Sequence, residues 1–223
     1  MAVDQYSIPN NQYAMINETL TETNLLAAVE QLVARDSDLA AIYQRLGAPP
    51  LWVREPGFPT LLLIILEQQV SLASARATFN RLLEVVSPLT PLGFLELDDA
   101  TLRAIGFSRQ KASYGRHLAQ AIVEGLFDID GLALLPDDAA RTLLVARKGI
   151  GLWTADVYLL MCLGRPDIWP AGDLALQVAV QAIKGLAQRP TWMEMEEIAA
   201  PWRPWRAVAA RLLWHYYLHG RGT

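Results

Sequence analysis

The chain has 223 residues, 52% hydrophobic and 19% charged, which allows a substantial core and excludes disorder as its main state. Cys162 is the single cysteine, which excludes an internal disulfide framework and a four-cysteine zinc or iron–sulfur site and suits a reducing compartment. A net charge of −4 argues against a nucleic-acid partner, no apolar run reaches the roughly 18 residues of a membrane span, and the first residues lack the basic start and apolar run of a secretory signal. Read in order, the pattern is helical nearly throughout. Thr21 can cap a helix through LLAAVEQLVARD, and Ser37 a second that stops at Gly47. Ala48-Pro49-Pro50 and Pro56-Gly57-Phe58-Pro59 bracket a connection. From Thr60 to Ser87 there is neither Gly nor Pro, so LLLIIL at 61–66 reads as buried helix rather than strand, with one helix or two abutting ones across the run. Helices follow at about 98–104, 108–124 and 137–147, with Gly106 and Gly125 as stops. Further helices run from Leu152 to before Gly164, from Asp173 to Lys184, through MEMEEIAA, and from Pro204 to His219. No strand alternation is long enough for a sheet, so the expected fold is all-α.

The net charge is unevenly spread. Residues 1–99 hold 5 Lys and Arg against 12 Asp and Glu, and residues 100–223 hold 14 against 11. Three windows of the second half contain no acid. Window 100–123 carries Arg103, Arg109, Lys111 and Arg116; window 139–155 carries Arg141, Arg147 and Lys148; window 198–223 carries Arg203, Arg206, Arg211 and Arg221. Phosphate binding needs a local basic face, so each window is either a solvated helix face or part of such a surface.

Gly149 and Gly151 sit two apart between two helices, in ARKGIGLWTA at 146–155. Glycine permits positive φ and leaves backbone N–H groups open, and the next helix offers its positive end to an anion. Ile150 between them can plug the core. Such a turn can hold a DNA phosphate, although a lone GxG also fits an ordinary tight interhelical turn. Twenty-two residues beyond Gly151, Pro170-Ala171-Gly172-Asp173 places a carboxylate at a helix start. Cleaving an N-glycosidic bond builds positive charge on the sugar, which a carboxylate beneath the ring stabilises. Alone, Asp173 would be only a helix cap. Asp156 reads as a polar-face or structural residue, and Asp167 as a solvated loop residue.

GIGLWTA, with the spacing to Asp173, resembles the helix–hairpin–helix DNA glycosylase superfamily. Lys148 stands where that family usually has Pro. The resemblance implies two helical lobes around a cleft, residues 55–165 forming the lobe with the hairpin and residues 1–54 and 166–223 the lobe with the catalytic Asp173. It implies phosphate contacts at Lys148, Gly149, Gly151 and Thr154, with Thr154 and Ala155 also packing the second hairpin helix on the first. Strand-cutting members carry a lysine two residues after the second glycine, where this chain has Trp153, so a Schiff-base lyase is disfavoured. Trp153 and Trp214 match aromatics of the base pocket in the 3-methyladenine DNA glycosylase II branch, where an indole face attracts a cationic alkylated purine. Trp52, Trp169, Trp192 and Trp202 read as core or surface.

Ile65-Leu66-Glu67-Gln68-Gln69-Val70-Ser71 resembles the segment of that branch that fills the gap left by a flipped base. Gln69 takes the wedge position and Gln68 supports it, unless both merely satisfy backbone groups at a buried helix junction. The implied activity is monofunctional release of alkylated purines to leave an abasic site; the alternatives are a non-catalytic damage-binding module and an all-α interaction protein with an incidental turn. The implied partner is double-stranded DNA containing damaged bases, bound by a monomer away from membranes, in the bacterial cytoplasm or a nucleus. No cofactor is required and no metal site is expected beyond a monovalent cation held by hairpin backbone carbonyls.

Overall fold

The computed structural model describes residues 19–219, and every regular element among them is helical. The expectations for residues 1–18 and for Arg221 lie outside this range. Thr21 opens α1 (Glu22–Val33) by a capping box, its hydroxyl accepting from Asn24 N–H while the Asn24 side chain accepts from Thr21 N–H. At α2 (Ser37–Leu46) the cap is Asp36 and not Ser37: its carboxylate accepts from Asp38 and Leu39 N–H. A carboxylate reaches the same donors as a hydroxyl and adds negative charge at the positive helix end.

The run from Thr60 to Ser87 forms two helices, α3 (Phe58–Glu67) and α4 (Leu72–Val85), joined by the turn 68–71. α3 buries Phe58 and all of 61–67, so it is core on every side. A short α5 (Pro91–Leu95), capped by Thr90, was not legible as a helix, because five residues show no periodicity. Then come α6 (Asp99–Ala104), α7 (Arg109–Val123), α8 (Asp137–Val145), α9 (Leu152–Met161), α10 (Leu174–Ile183), α11 (Trp192–Ala199) and α12 (Arg206–His219). Single 3-10 turns occupy Gly131–Leu134 and Ala200–Trp202.

α3 packs on α4, α7 and α9; α9 packs on α8; α5 and α6 pack on α7. α12 packs on α1, α2 and α10. The buried side chains of both sets join in one contiguous core. Among the described residues, no helix is long and apolar enough to cross a membrane.

Two expectations are corrected here. The third acid-free window is not an open basic face. Arg211 is 1% exposed and donates to the carbonyls of Leu51, Leu160 and Ala207, and burial pulls its pKa down to about 10. It clamps α12 to the loop before α3 and to α9. Asp167 is not a solvated loop residue: Arg203 donates to it at 2.7 Å, and Arg206 at 3.0 and 2.9 Å. A carboxylate among two guanidiniums gains more from them than from water once it is half-buried.

Candidate active site and nucleic-acid interface

α8 and α9 are joined by the turn that carries Gly149 and Gly151. Gly149 has φ +86°, and a Cβ there would be driven into the ring of Tyr114. Only glycine suits both conditions. Gly151 has φ −92°, and a Cβ there would meet nothing within 4 Å. Its bareness therefore serves the outside of the turn rather than the fold. Ile150 between them is 4% exposed and anchors the turn in the core. Lys148 is exposed on the rim, its amine 3.4 Å from Ser113 Oγ. No side chain caps α9, so the amides of its first turn are presented by Gly151, Leu152 and Trp153.

Thr154 needs correction as a phosphate contact. It is 1% exposed, and its hydroxyl accepts from Gln68 Nε2 at 2.9 Å. The helical pitch turns the third residue of α9 inward, so its side chain packs the hairpin and does not meet DNA. The carbonyls that a monovalent cation would use are partly engaged. Arg147 O accepts from Ile150 N–H, and Gly149 O accepts from Gln68 Nε2 at 2.9 Å. An ion there would share these oxygens.

Asp173 caps α10, and its Oδ1 accepts from Leu176 N–H at 3.0 Å. Trp214 donates its indole N–H to the same oxygen at 3.1 Å, and Trp153 donates to Oδ2 at 2.7 Å. The carboxylate is 9% exposed. α9, α10 and α12 thus bring the three residues singled out in the sequence to one point. Their relation was not legible there: the indoles were expected to offer their faces to a base, and their N–H edges hold the acid. Trp52 was set aside in the sequence, yet it packs edge-on against Trp214, ring centroids 6.5 Å apart, from a backbone with φ +50°. That positive φ in a tryptophan is local backbone strain, and no sequence pattern announces it. Trp169 and Trp202 are core, 2% and 1% exposed, and Trp192 lies at the surface. Asp156 is structural: buried, with Arg141 Nε at 2.7 Å, and burial raises its pKa against the pull of that arginine.

Against the hairpin, the α3–α4 turn carries Gln68 and Gln69. Gln69 is exposed with φ +56°, a left-handed conformation that costs a residue with a Cβ about 1–2 kcal/mol. Val70 beside it is also exposed. Gln68 is half-buried and reaches back to the hairpin through Gly149 O and Thr154 Oγ1. Lys111, read in the sequence only as one charge of a basic window, is turned inward. Its amine donates to Leu66 O at 2.6 Å and Gln68 O at 2.9 Å. Arg116 of the same window donates to Leu97 O and pairs with Asp99. Arg103 and Arg109 stay exposed beside a cavity of about 300 Å³ lined also by Ser113 and His117. Among the described residues of the three windows, Arg103, Arg109 and Lys148 are exposed cations, and Arg203 is exposed but paired with Asp167.

Comparison with known proteins agrees with this geometry. The profile of the HhH-GPD superfamily base excision DNA repair proteins matches residues 62–204, which include the α3–α4 turn, the hairpin and Asp173. A Bacillus subtilis relative is 27% identical over 186 residues, covering 80% of this chain and 65% of its own length. The DNA-3-methyladenine glycosylase 1 of Schizosaccharomyces pombe is 30% identical over 165 residues, 72% of each chain. The solved structure of a Schizosaccharomyces pombe 3-methyladenine DNA glycosylase in complex with abasic DNA superposes with a TM-score of 0.82 at 26% identity, over 88% of this chain and 99% of that one. With the profile spanning the greater part of its length, the chain belongs to the HhH-GPD superfamily of base excision DNA repair proteins.

Proposed function

We propose that the chain is a monofunctional DNA glycosylase that releases alkylated purines from double-stranded DNA and leaves an abasic site. The observation that carries this reading is the carboxylate of Asp173, fixed by three N–H groups at the start of α10. Oδ1 accepts two of them and Oδ2 one, which leaves acceptor capacity on Oδ2 for a sugar or a water. Fixed negative charge in a water-poor site stabilises positive charge that develops on C1′. The C1′–N bond breaks with its electron pair leaving on the base, and water adds to C1′ and loses a proton. An alkylated purine is already a cation and departs readily, so this modest machinery suffices.

The remaining parts follow the same reading. Lys148 and the amides at Gly149 and Gly151 hold a backbone phosphate, and Gln69 enters the gap left by the flipped base. Trp153 and Trp214, with Trp52, wall the pocket, residues 55–165 form one lobe, and the flanking segments form the other. The protein acts as a monomer on chromosomal DNA in the cytoplasm or nucleus. No cofactor takes part in the reaction; a monovalent cation at the hairpin carbonyls would add charge toward the phosphate. No amine stands at Trp153 to attack C1′, so the strand stays whole. Incubation with a duplex containing a single 3-methyladenine analogue or 7-methylguanine tests the reading. Free base and an alkali-labile intact strand are expected. A direct nick, or a borohydride-trapped covalent adduct, would contradict it, and tight binding without release would mark a damage-binding module.

A further inference from the structure

We propose that Lys111 is a positioning residue for base flipping: it holds the α3–α4 turn so that Gln69 projects, and through Gln68 it joins that turn to the phosphate hairpin as one unit. The proposal rests on the wedge reading of Gln69.

The last carbonyls of a helix have no partner within it. At the end of α3 the following backbone does not supply one for Leu66, because the chain leaves at once. Gln68 is extended with ψ 124°, Gln69 has φ +56°, and α4 begins just after Ser71. Lys111 fills the gap from another helix, with one amine on the carbonyls of Leu66 and Gln68. A cation there also sits at the negative end of α3. The approach depends on Gly115, one turn along α7: a Cβ there would stand 2.8 Å from the ring of Phe94 and 3.0 Å from Leu62. Glycine lets α7 lie close on α3 and sets Lys111 against its end. Burial lowers the pKa of the Lys111 amine.

Gln68 completes the strut. Its backbone carbonyl takes Lys111, and its side-chain amide donates to Gly149 O inside the hairpin and to Thr154 behind it. A phosphate drawn onto the hairpin thereby fixes where Gln69 stands relative to the same strand. A purely structural lysine would support the fold and nothing else, and the two roles separate on substrate design. Extruding a paired base requires the wedge, whereas a lesion already unstacked needs it far less.

Lys111→Met, Lys111→Arg and Gln69→Ala are compared with wild type for base release from two methylated duplexes, one fully paired and one with the lesion in a mismatched bulge. A 2-aminopurine next to the lesion reports unstacking. Lys111→Met should lose about tenfold or more on the paired duplex and little on the bulged one, with a weaker 2-aminopurine rise. Lys111→Arg should recover most of the loss, and Gln69→Ala should show the same pattern as Lys111→Met. Equal loss on both duplexes, or no loss for Lys111→Met where Gln69→Ala is impaired, overturns the role of Lys111. No paired-duplex loss in Gln69→Ala overturns the wedge reading, and this proposal with it, while leaving the glycosylase reading intact. If Lys111→Met does not fold, Gln68→Ala cuts the other half of the strut and is read by the same pair of duplexes.

Discussion

Trp153 donates its indole N–H to Asp173 Oδ2 across 2.7 Å, so on the proposed reading the residue at the position expected of a lyase lysine is bonded to the carboxylate proposed to act without one. A lysine there would form an ion pair with this acid and compete for the sugar. An indole supplies a donor, no nucleophile and an aromatic wall. Phe in place of Trp153 or Trp214 keeps the wall and removes the donor. Hydrogen bonds to a charged group contribute about 1.5–3 kcal/mol. Each variant should therefore lose roughly ten- to a hundredfold in single-turnover base release while binding to an abasic-site duplex stays within about threefold. Loss of binding with unchanged release would show that the indoles serve only as walls.

The two hairpin glycines should part company. Ala at Gly149 meets both a left-handed backbone and the Tyr114 ring, so it should lower stability by about 2 kcal/mol or more. Ala at Gly151 meets nothing and keeps an ordinary φ, so its urea midpoint should stay close to wild type. Its methyl would stand where a phosphate approaches, so DNA affinity should fall. A Gly151→Ala protein with undiminished affinity would place the phosphate elsewhere.

Much of this architecture was legible in the sequence for a physical reason. The apolar run 61–66, set in a stretch without Gly or Pro that is too long for a strand, reads as buried helix, and Gly106 and Gly125 end their helices with φ of +105° and +70°. The hairpin and Asp173 are likewise set by local backbone chemistry. What stayed hidden depends on tertiary direction. Lys111 and Arg211 look like ordinary surface cations in sequence, and only the packing of α7 on α3 and the placement of α12 beside Leu51 and Leu160 turn them inward to orphaned carbonyls. Thr154 follows the same logic: one step along α9 exchanges the outer face for the core. Charge counted along a chain cannot say which cations are spent on the fold.

Lys148 is a cation that the fold does not spend. Among the described residues its one polar contact is Ser113 Oγ at 3.4 Å. Lys148→Gln should leave thermal stability unchanged and reduce the slope of log K against log salt by about 0.9, the increment for one phosphate contact. The weakening should be the same for damaged and undamaged duplexes. An unaltered slope would remove Lys148 from the DNA surface.

Arg211 should behave in the opposite way. Arg211→Met leaves the carbonyls of Leu51 and Leu160 buried without their donor, at about 1–3 kcal/mol each. The urea midpoint should drop accordingly, and the salt slope of DNA binding should not change for protein that remains folded. A stable variant with a smaller slope would mean that Arg211 faces DNA after all.

On the proposed reading, Asp173 is the catalytic carboxylate. Asn is as good a helix cap as Asp, and its side-chain oxygen can still accept from Leu176 and Trp214 N–H, while its NH2 would face the Trp153 indole N–H, so Asp173→Asn removes the charge together with the Trp153 hydrogen bond. The decisive measurement is single-turnover release of 7-methylguanine from a defined duplex by this variant, alongside its Tm and its affinity for the same duplex. If Asp173 is the catalytic carboxylate, release falls at least about a hundredfold and further than in Trp153→Phe, the size of effect expected when a preorganised charge is removed, while the protein stays folded and its affinity nearly unchanged. Release within a few-fold of wild type by a folded, DNA-bound Asp173→Asn protein would contradict it.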